Sequence, residues 1–135
     1  MPLQLIPENS RLEANGDGTA FDISTSATRT FLCHLTVTEQ IEQESLDVLI
    51  YGSADGETWT KKPLLKLPQQ FYRGRTKLVL DLSLRPEIKL IRARWGLNRW
   101  GRGAPLPMFV AGLELVEIPP ISGQTRTKDA ATAVR

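Results

Sequence analysis

The sequence predicts an all-β protein, a single antiparallel β-sandwich of jelly-roll type with extended N- and C-terminal segments. Five runs alternate apolar and polar residues with the period of two that is typical of half-buried strands. Gly, Pro, Asn and Asp separate these runs, as turns between antiparallel strands require. The length of 135 residues, with 41% hydrophobic and 24% charged residues, suits one globular domain.

The N-terminal part is predicted to hold an arm and the first three strands. Residues 1–18 are assigned to the arm, which ends in the Gly-containing turn Asn15–Gly18, and residues 19–118 to the sandwich domain. A short strand at 20–23 opens the domain, and alternating strands follow at 30–38 and 46–51. Alternation predicts a shared core face for these side chains: Phe31, Cys33, Leu35, Val37, Leu46, Val48 and Ile50.

Three further strands are predicted at 76–82, 87–97 and 107–118. Pro residues before the second and third of these interrupt the hydrogen-bond ladder, because proline offers no amide donor. The predicted core-facing residues are Leu78, Leu80, Leu82, Ile91, Ala93, Trp95, Phe109, Ala111, Leu113 and Leu115. Residues 119–135 are polar and small, so they are predicted to form an extended C-terminal tail without a core of its own.

Charge is strongly segregated along the chain, although the net charge is only +2. Residues 1–60 carry ten acidic and two basic residues, whereas residues 61–102 carry twelve basic and two acidic residues. Two interpretations stay open. Acidic and basic strands can be neighbours that neutralise each other locally, or the fold can have an acidic side and a basic side that favour contacts between copies.

The segment Ser53-Ala54-Asp55-Gly56-Glu57-Thr58-Trp59 follows a strand and predicts a tight turn at Asp55-Gly56, where glycine supplies a positive φ. Trp59 is expected to fold back over the sheet edge. This stretch resembles the Ser-x-Asp-Gly-x-x-Trp hairpin of discoidin-type, galactose-binding-like β-sandwiches, a motif also seen in phage tail-associated proteins. The resemblance covers roughly residues 46–97, including the Arg-rich strand at 88–95. It implies the fold, while the motif residues Asp55, Gly56 and Trp59 are mainly structural.

An arginine- and tryptophan-rich segment at 92–103 is the main candidate binding region. Arginine holds carboxylates or phosphates with two parallel bonds, and tryptophan stacks on sugars or bases. Both residue types also dominate protein–protein interfaces. Structural packing, a protein interface, and contact with a polyanion or glycan therefore remain as three interpretations. The candidate binding or interface residues are Arg92, Arg94, Arg99, Trp100 and Arg102.

No catalytic or metal-binding constellation is predicted, and no cofactor. Cys33 and His34 are adjacent in a strand, so their side chains point to opposite faces and do not form a nucleophile–base pair. One Cys and one His are too few for a Cys/His zinc site, and one Cys makes no internal disulfide. We therefore expect that this is not an enzyme.

Three classes of function follow from these observations. The first is a structural or assembly protein, a component of a virion, tail or filament that joins identical copies or another structural protein through charge-segregated faces and terminal arms. The second is a discoidin-type module that binds a carbohydrate or a lipid head group. The third is nucleic-acid binding through the basic segment 61–102. The sequence shows no membrane span or signal-peptide core, which predicts a cytoplasmic or particle-associated location.

Overall fold

The computed structural model describes residues 2–40, 44–99 and 108–119. Within these ranges the chain is all-β, without a helix, and its strands form two antiparallel sheets. The strands in chain order are β1 (Leu3–Leu12), β2 (Gly16–Asp17), β3 (Phe21–Asp22), β4 (Thr30–Gln40), β5 (Glu44–Ser53), β6 (Leu65–Lys66), β7 (Gly74–Asp81), β8 (Leu90–Arg99) and β9 (Phe109–Glu117). The predicted all-β class is confirmed.

The strand order defines two edges in each sheet. The four-stranded sheet has the order β1-β9-β4-β7, so β1 and β7 are its edge strands. The five-stranded sheet has the order β2-β8-β5-β6, and β3 also pairs with β8 beside β2. β6 is the edge strand at the other end.

One buried apolar cluster draws its side chains from both sheets. The predicted alternation is confirmed along β4, β5 and β9, where every second residue is buried. The buried residues of these strands and of β8 include Phe31, Cys33, Leu35, Val37, Leu46, Val48, Ile50, Ile91, Ala93, Phe109, Ala111, Leu113 and Leu115. Two predicted core residues, Leu78 and Trp95, are only partly buried and pack against this cluster.

Residues 3–12 lie in the stretch that the sequence assigned to an N-terminal arm, but they form β1 and pair with β9. Leu5, Ile6 and Leu12 belong to the buried cluster. Alternation does not reveal this strand, because register shifts interrupt it around Pro7. At the other end, residues 120–135 of the predicted tail lie outside the described residues.

The predicted turn at Asn15–Gly18 is wrong. Gly16 and Asp17 instead form β2, and neither Gly16 nor Gly18 has a positive φ. Close packing explains these glycines. A Cβ on Gly18 would lie 2.6 Å from the carbonyl oxygen of Leu5, and one on Gly16 would lie 3.0 Å from the Trp95 ring. The conformation of residues 16–18 is therefore set by pairing with β8 and by close packing. It is not set by the need for a positive φ in a turn.

Candidate functional site on the outer sheet face and the strand edges

The hairpin turn after β5 is held by two side chains of the Ser-x-Asp-Gly motif. The Ser53 hydroxyl is buried, accepts the Gly56 amide at 2.7 Å and donates to the Thr58 carbonyl at 2.7 Å. The Asp55 carboxylate accepts the amides of Glu57 and Thr58 at 2.8 and 2.9 Å. These backbone donors lower the pKa of Asp55 below its usual value. Gly56 has φ of 84°, as the sequence predicted.

This turn brings Trp59 back beside β5, where it bridges to Ser53. The guanidinium carbon of Arg92 lies 4.2 Å from the centre of the Trp59 ring, within the range of a cation–π contact. Arg92 is the cross-strand partner of Tyr51, so the register of β5 and β8 sets this contact. Trp59 therefore covers the outer face of the sheet beside an arginine.

Arg94 continues the same arrangement two residues along β8. Its guanidinium carbon lies 5.1 Å from the Tyr51 ring centre, and its Nε donates to the Asp17 carboxylate at 2.7 Å. The bond to Asp17 raises the pKa of Arg94 further. Both side chains are solvent-exposed, so this ion pair contributes little to stability. We call Asp17, Tyr51, Trp59, Arg92 and Arg94 the arginine–aromatic face.

Arg92 and Arg94 lie on the face of β8 opposite the buried Ile91 and Ala93, and the structure brings them together there. Both already have partners inside the chain, and these partners depend on strand register, which local sequence patterns do not reveal. Arg99 ends β8 opposite Glu44, and only its backbone is described. Trp100 and Arg102 lie outside the described residues, so their grouping with Arg99 stays a prediction.

A second feature is a basic edge formed by β7 and the chain that joins β5 to it. Residues 64–70 run along β5, with main-chain bonds at Leu64, Leu67 and Gln70. The next residues cross to Gly74, which pairs with β4. Four residue steps span at most about 14 Å, so the edges of the two sheets lie close together here. The cations of this segment, which we call the basic edge, are Lys61, Lys62, Lys66, Arg73, Arg75 and Lys77.

The basic edge is not neutralised within the described part of the chain. Its six cations make no ion pair there, since the three ion pairs found join Arg11 to Glu13, Arg85 to Glu87 and Arg94 to Asp17. No acidic residue occurs between positions 61 and 80. Tyr72, in the crossing segment, is 73% exposed. The sequence shows this feature as a run of residues without Asp or Glu. Its location at the edges of the two sheets depends on the strand order, which the sequence does not show.

The opposite edge is acidic. Residues 2–23, which include β1, β2 and β3, carry Glu8, Glu13, Asp17 and Asp22 against a single Arg11. β1 lies next to the segment that contains β2, because a Cβ built on Gly18 would lie 2.6 Å from the Leu5 carbonyl oxygen. Hydrogen bonds from Ser24 lower the pKa of Asp22 and so favour its charged form. We call these four carboxylates the acidic edge; Glu13 is paired with Arg11 and Asp17 with Arg94.

Cys33 and His34 occupy opposite faces of β4. Cys33 is completely buried, and burial raises the pKa of its thiol to about 12. His34 faces outward and lines a surface cleft on the four-stranded sheet. In the described ranges no cluster of three or more His, Cys, Asp or Glu side chains is arranged to hold a metal ion.

Comparisons with protein-family models, with curated proteins and with solved structures found no match for this chain. A search of the described residues for a helix long and apolar enough to cross a membrane found none.

Proposed function

We propose that this protein is a structural subunit without catalytic activity, whose copies associate through the basic edge of one copy and the acidic edge of the next. The two sheets pack face to face in this proposal as a β-sandwich, which agrees with the single buried cluster that they share. The observation that carries the proposal is the collection of six cations at one edge that form no ion pair with any described residue, opposite an edge with an excess of carboxylates.

Two different edges in contact make a heterologous interface, which forms rings when it closes and filaments when it does not. Such an arrangement fits a component of a virion, tail or filament. The contact joins side chains and does not continue the sheet, because Pro7 and the register shifts of β1 interrupt the backbone ladder at the acidic edge. The exposed ring of Tyr72 adds an apolar contact beside the cations.

Association of this kind is weak for each charge pair and sensitive to salt. An exposed ion pair contributes about 0–1 kcal/mol, so several pairs must form together. The Debye length falls from about 30 Å at 0.01 M salt to about 3 Å at 1 M, which screens the attraction between edges. We therefore expect oligomers at low salt and high protein concentration, and monomers at high salt.

Sedimentation velocity with the purified chain tests the proposal. The double variant Lys61→Glu/Lys62→Glu should remain monomeric at low salt. The matched double variant Arg85→Glu/Arg92→Glu changes the charge equally away from both edges and should associate like the wild type. A monomeric wild type at every salt and protein concentration would refute the proposal, and so would equal loss of association in both variants.

A mixing experiment tests which surface the basic edge contacts. The variant Glu13→Lys/Asp22→Lys reverses part of the acidic edge and should also be monomeric alone. Mixed with the quadruple variant Lys61→Glu/Lys62→Glu/Lys66→Glu/Arg73→Glu, whose basic edge becomes net acidic, it should form mixed oligomers, because each altered edge then faces an edge of opposite charge. If the mixture stays monomeric, the two edges are not partners.

Two other functions would give different results in the same samples. Salt-dependent binding of single-stranded DNA by the wild type, lost in Lys61→Glu/Lys62→Glu, would assign the basic edge to nucleic acid. Glycan binding that is lost in Trp100→Ala would favour the discoidin-type function. The arginine–aromatic face gives this second function little support, because Arg92 already covers the Trp59 ring.

A further inference from the structure

A cleft of about 220 Å³ lies on the outer face of the four-stranded sheet, away from the arginine–aromatic face. Its floor is formed by outward residues of β4 and β9, including Thr36 and Gly112. Arg75 of β7 lies on one side, and Glu8 and Asn9 of β1 lie on the other. The cleft therefore spans all four strands of this sheet.

The β1 wall of the cleft is a bulge that folds over the sheet. From Ile6 to Ser10, β1 advances four residues while β9 advances only from Leu113 to Ala111, so β1 contains two extra residues. Gly112 lies under this bulge, and a Cβ there would be 3.0 Å from the Cα of Glu8. A glycine is thus needed on the floor for the wall to come this close.

The conformation of the wall is fixed by local contacts. Asn9 has φ of 63°, a left-handed conformation that is uncommon for residues other than glycine. The Ser10 hydroxyl donates to the Pro7 carbonyl at 2.6 Å and closes the bulge. Contacts within the chain therefore hold the wall in place, which limits the ordering cost of binding.

Charge changes sign across the cleft. One cross-strand row runs from Arg75 through Thr36 to Gly112, beneath Glu8. Two strand spacings separate the Cα atoms of Arg75 and Gly112, a distance of about 10 Å. Arg75 and Glu8 are exposed, and within the described ranges neither forms an ion pair.

The neighbouring row has the same polarity. It runs from Lys77 through His34 to Glu114. One carboxylate oxygen of Glu114 accepts the Gln4 side-chain amide at 2.9 Å, which holds the carboxylate at the β1 side. Both rows thus place a cation on β7 and a carboxylate on the β1–β9 side, with uncharged or weakly basic side chains between them.

We propose that this cleft binds a small zwitterion, with its anionic group at Arg75 and its cationic group at Glu8 and Glu114. Pockets for drug-sized ligands measure about 300–1,000 Å³, so the volume here suits a smaller molecule. A neutral ligand would cover both charged ends without pairing them, which is costly, whereas a zwitterion pairs both. The site shares Arg75 with the basic edge and Glu8 with the acidic edge, so binding is measured under conditions in which the chain is monomeric.

A series of ω-amino acids from glycine to 6-aminohexanoate provides the probes. Titration followed by backbone amide chemical shifts should show saturable changes confined to residues around the cleft. One chain length should bind best, because the distance between the charged ends is fixed. The matched single-charge probes hexanoate and hexylamine should bind at least about fivefold more weakly than 6-aminohexanoate if this length fits.

Single-charge variants identify the two ends of the site. Glu8→Gln and Arg75→Gln should each weaken binding of the best probe about fivefold or more, and both side chains are exposed, so folding should be retained. Glu13→Gln and Arg73→Gln make the same chemical changes outside the cleft and should leave binding unchanged. Sedimentation of the same samples separates effects on the cleft from effects on association.

Three results would overturn the proposal. The first is the absence of saturable shifts with every ω-amino acid at concentrations of tens of millimolar. The second is binding of hexanoate or hexylamine as tightly as the best zwitterion. The third is tighter binding of a neutral polyol such as sorbitol, which would show that charge pairing does not select the ligand.

Discussion

Arg29 joins the start of β4 to the loop between β7 and β8. Its guanidinium donates to the main-chain carbonyls of Leu82 at 3.3 Å and Arg85 at 2.9 Å, and also to that of Ile88. The Arg29 carbonyl accepts the Leu82 amide at 2.8 Å, and its own φ is 54°. A single side chain therefore holds a loop that carries two buried residues of the core, Leu82 and Ile88.

Replacement of Arg29 by Met keeps the length and apolar stem of the side chain but removes all three donors. A hydrogen bond from a charged donor contributes about 1.5–3 kcal/mol, and the exposed Arg85 carbonyl can bond water instead. The Leu82 and Arg85 carbonyls keep the amides of Arg85 and Ile88, whereas the half-buried Ile88 carbonyl loses its partner. We expect a loss of about 2 kcal/mol in the free energy of unfolding, which corresponds to about 7 °C in Tm for a domain of this size.

Urea denaturation of Arg29→Met, followed by circular dichroism, measures this loss. Arg85→Met is the matched control, because the Arg85 side chain forms only an exposed ion pair with Glu87 and should cost less than about 0.5 kcal/mol. Arg29→Gly loses the same bonds but relieves the left-handed backbone, which offsets about 1 kcal/mol. If Arg29→Met unfolds within about 0.5 kcal/mol of the wild type, the carbonyl contacts do not stabilise the fold as argued.

Three further predictions concern close packing, the cation–π contact and pH. Gly18→Ala should destabilise the fold by about 2 kcal/mol in urea denaturation, because its Cβ would lie 2.6 Å from a main-chain oxygen. Gly96→Ala is the control and should cost much less, because its Cβ would lie 3.8 Å from the nearest atom. Equal losses in the two variants would contradict the packing explanation. A double-mutant cycle with Arg92→Ala and Trp59→Ala should give a coupling of about 0.5–1 kcal/mol, and a coupling near zero would show that the contact is only geometric. The lowered pKa of Asp55 stabilises the fold above the usual carboxyl pKa, and this contribution is lost as the pH falls through the folded-state value. The difference in free energy of unfolding between the wild type and Asp55→Asn should therefore shrink below about pH 4. A difference that stays constant with pH would show that the Asp55 carboxylate does not stabilise the turn.

Regular central strands could be predicted from the sequence because each has one buried face. The alternation in β4, β5 and β9 reports that face directly. Edge segments lack this signal for particular reasons. β1 contains extra residues around Pro7, and residues 64–70 form just the two-residue strand β6 beside β5. Their place in the sheets is fixed by tertiary partners and cannot be read from local periodicity.

The candidate surfaces were partly predictable for the same reason. Alternation places Arg92 and Arg94 on the outer face, but the partners Tyr51 and Asp17 depend on cross-strand register. The hairpin at Asp55 follows from local turn chemistry and was predicted. The cleft on the four-stranded sheet was not predicted, because it requires the bulge of β1 to lie over a glycine of β9.

The sequence left open whether its acidic and basic stretches neutralise each other or remain apart, and the two sheets give different answers. On the arginine–aromatic face, Asp17 from the acidic stretch pairs with Arg94 from the basic stretch. At the basic edge the cations have no such partner in the described ranges, so they repel one another in the isolated chain. An acidic surface that approaches this edge relieves the repulsion as well as adding attraction. The arginine–aromatic face, whose charges are already paired, gains less from a partner. This difference is why we assign association to the edge and not to the face that is richest in arginine and tryptophan.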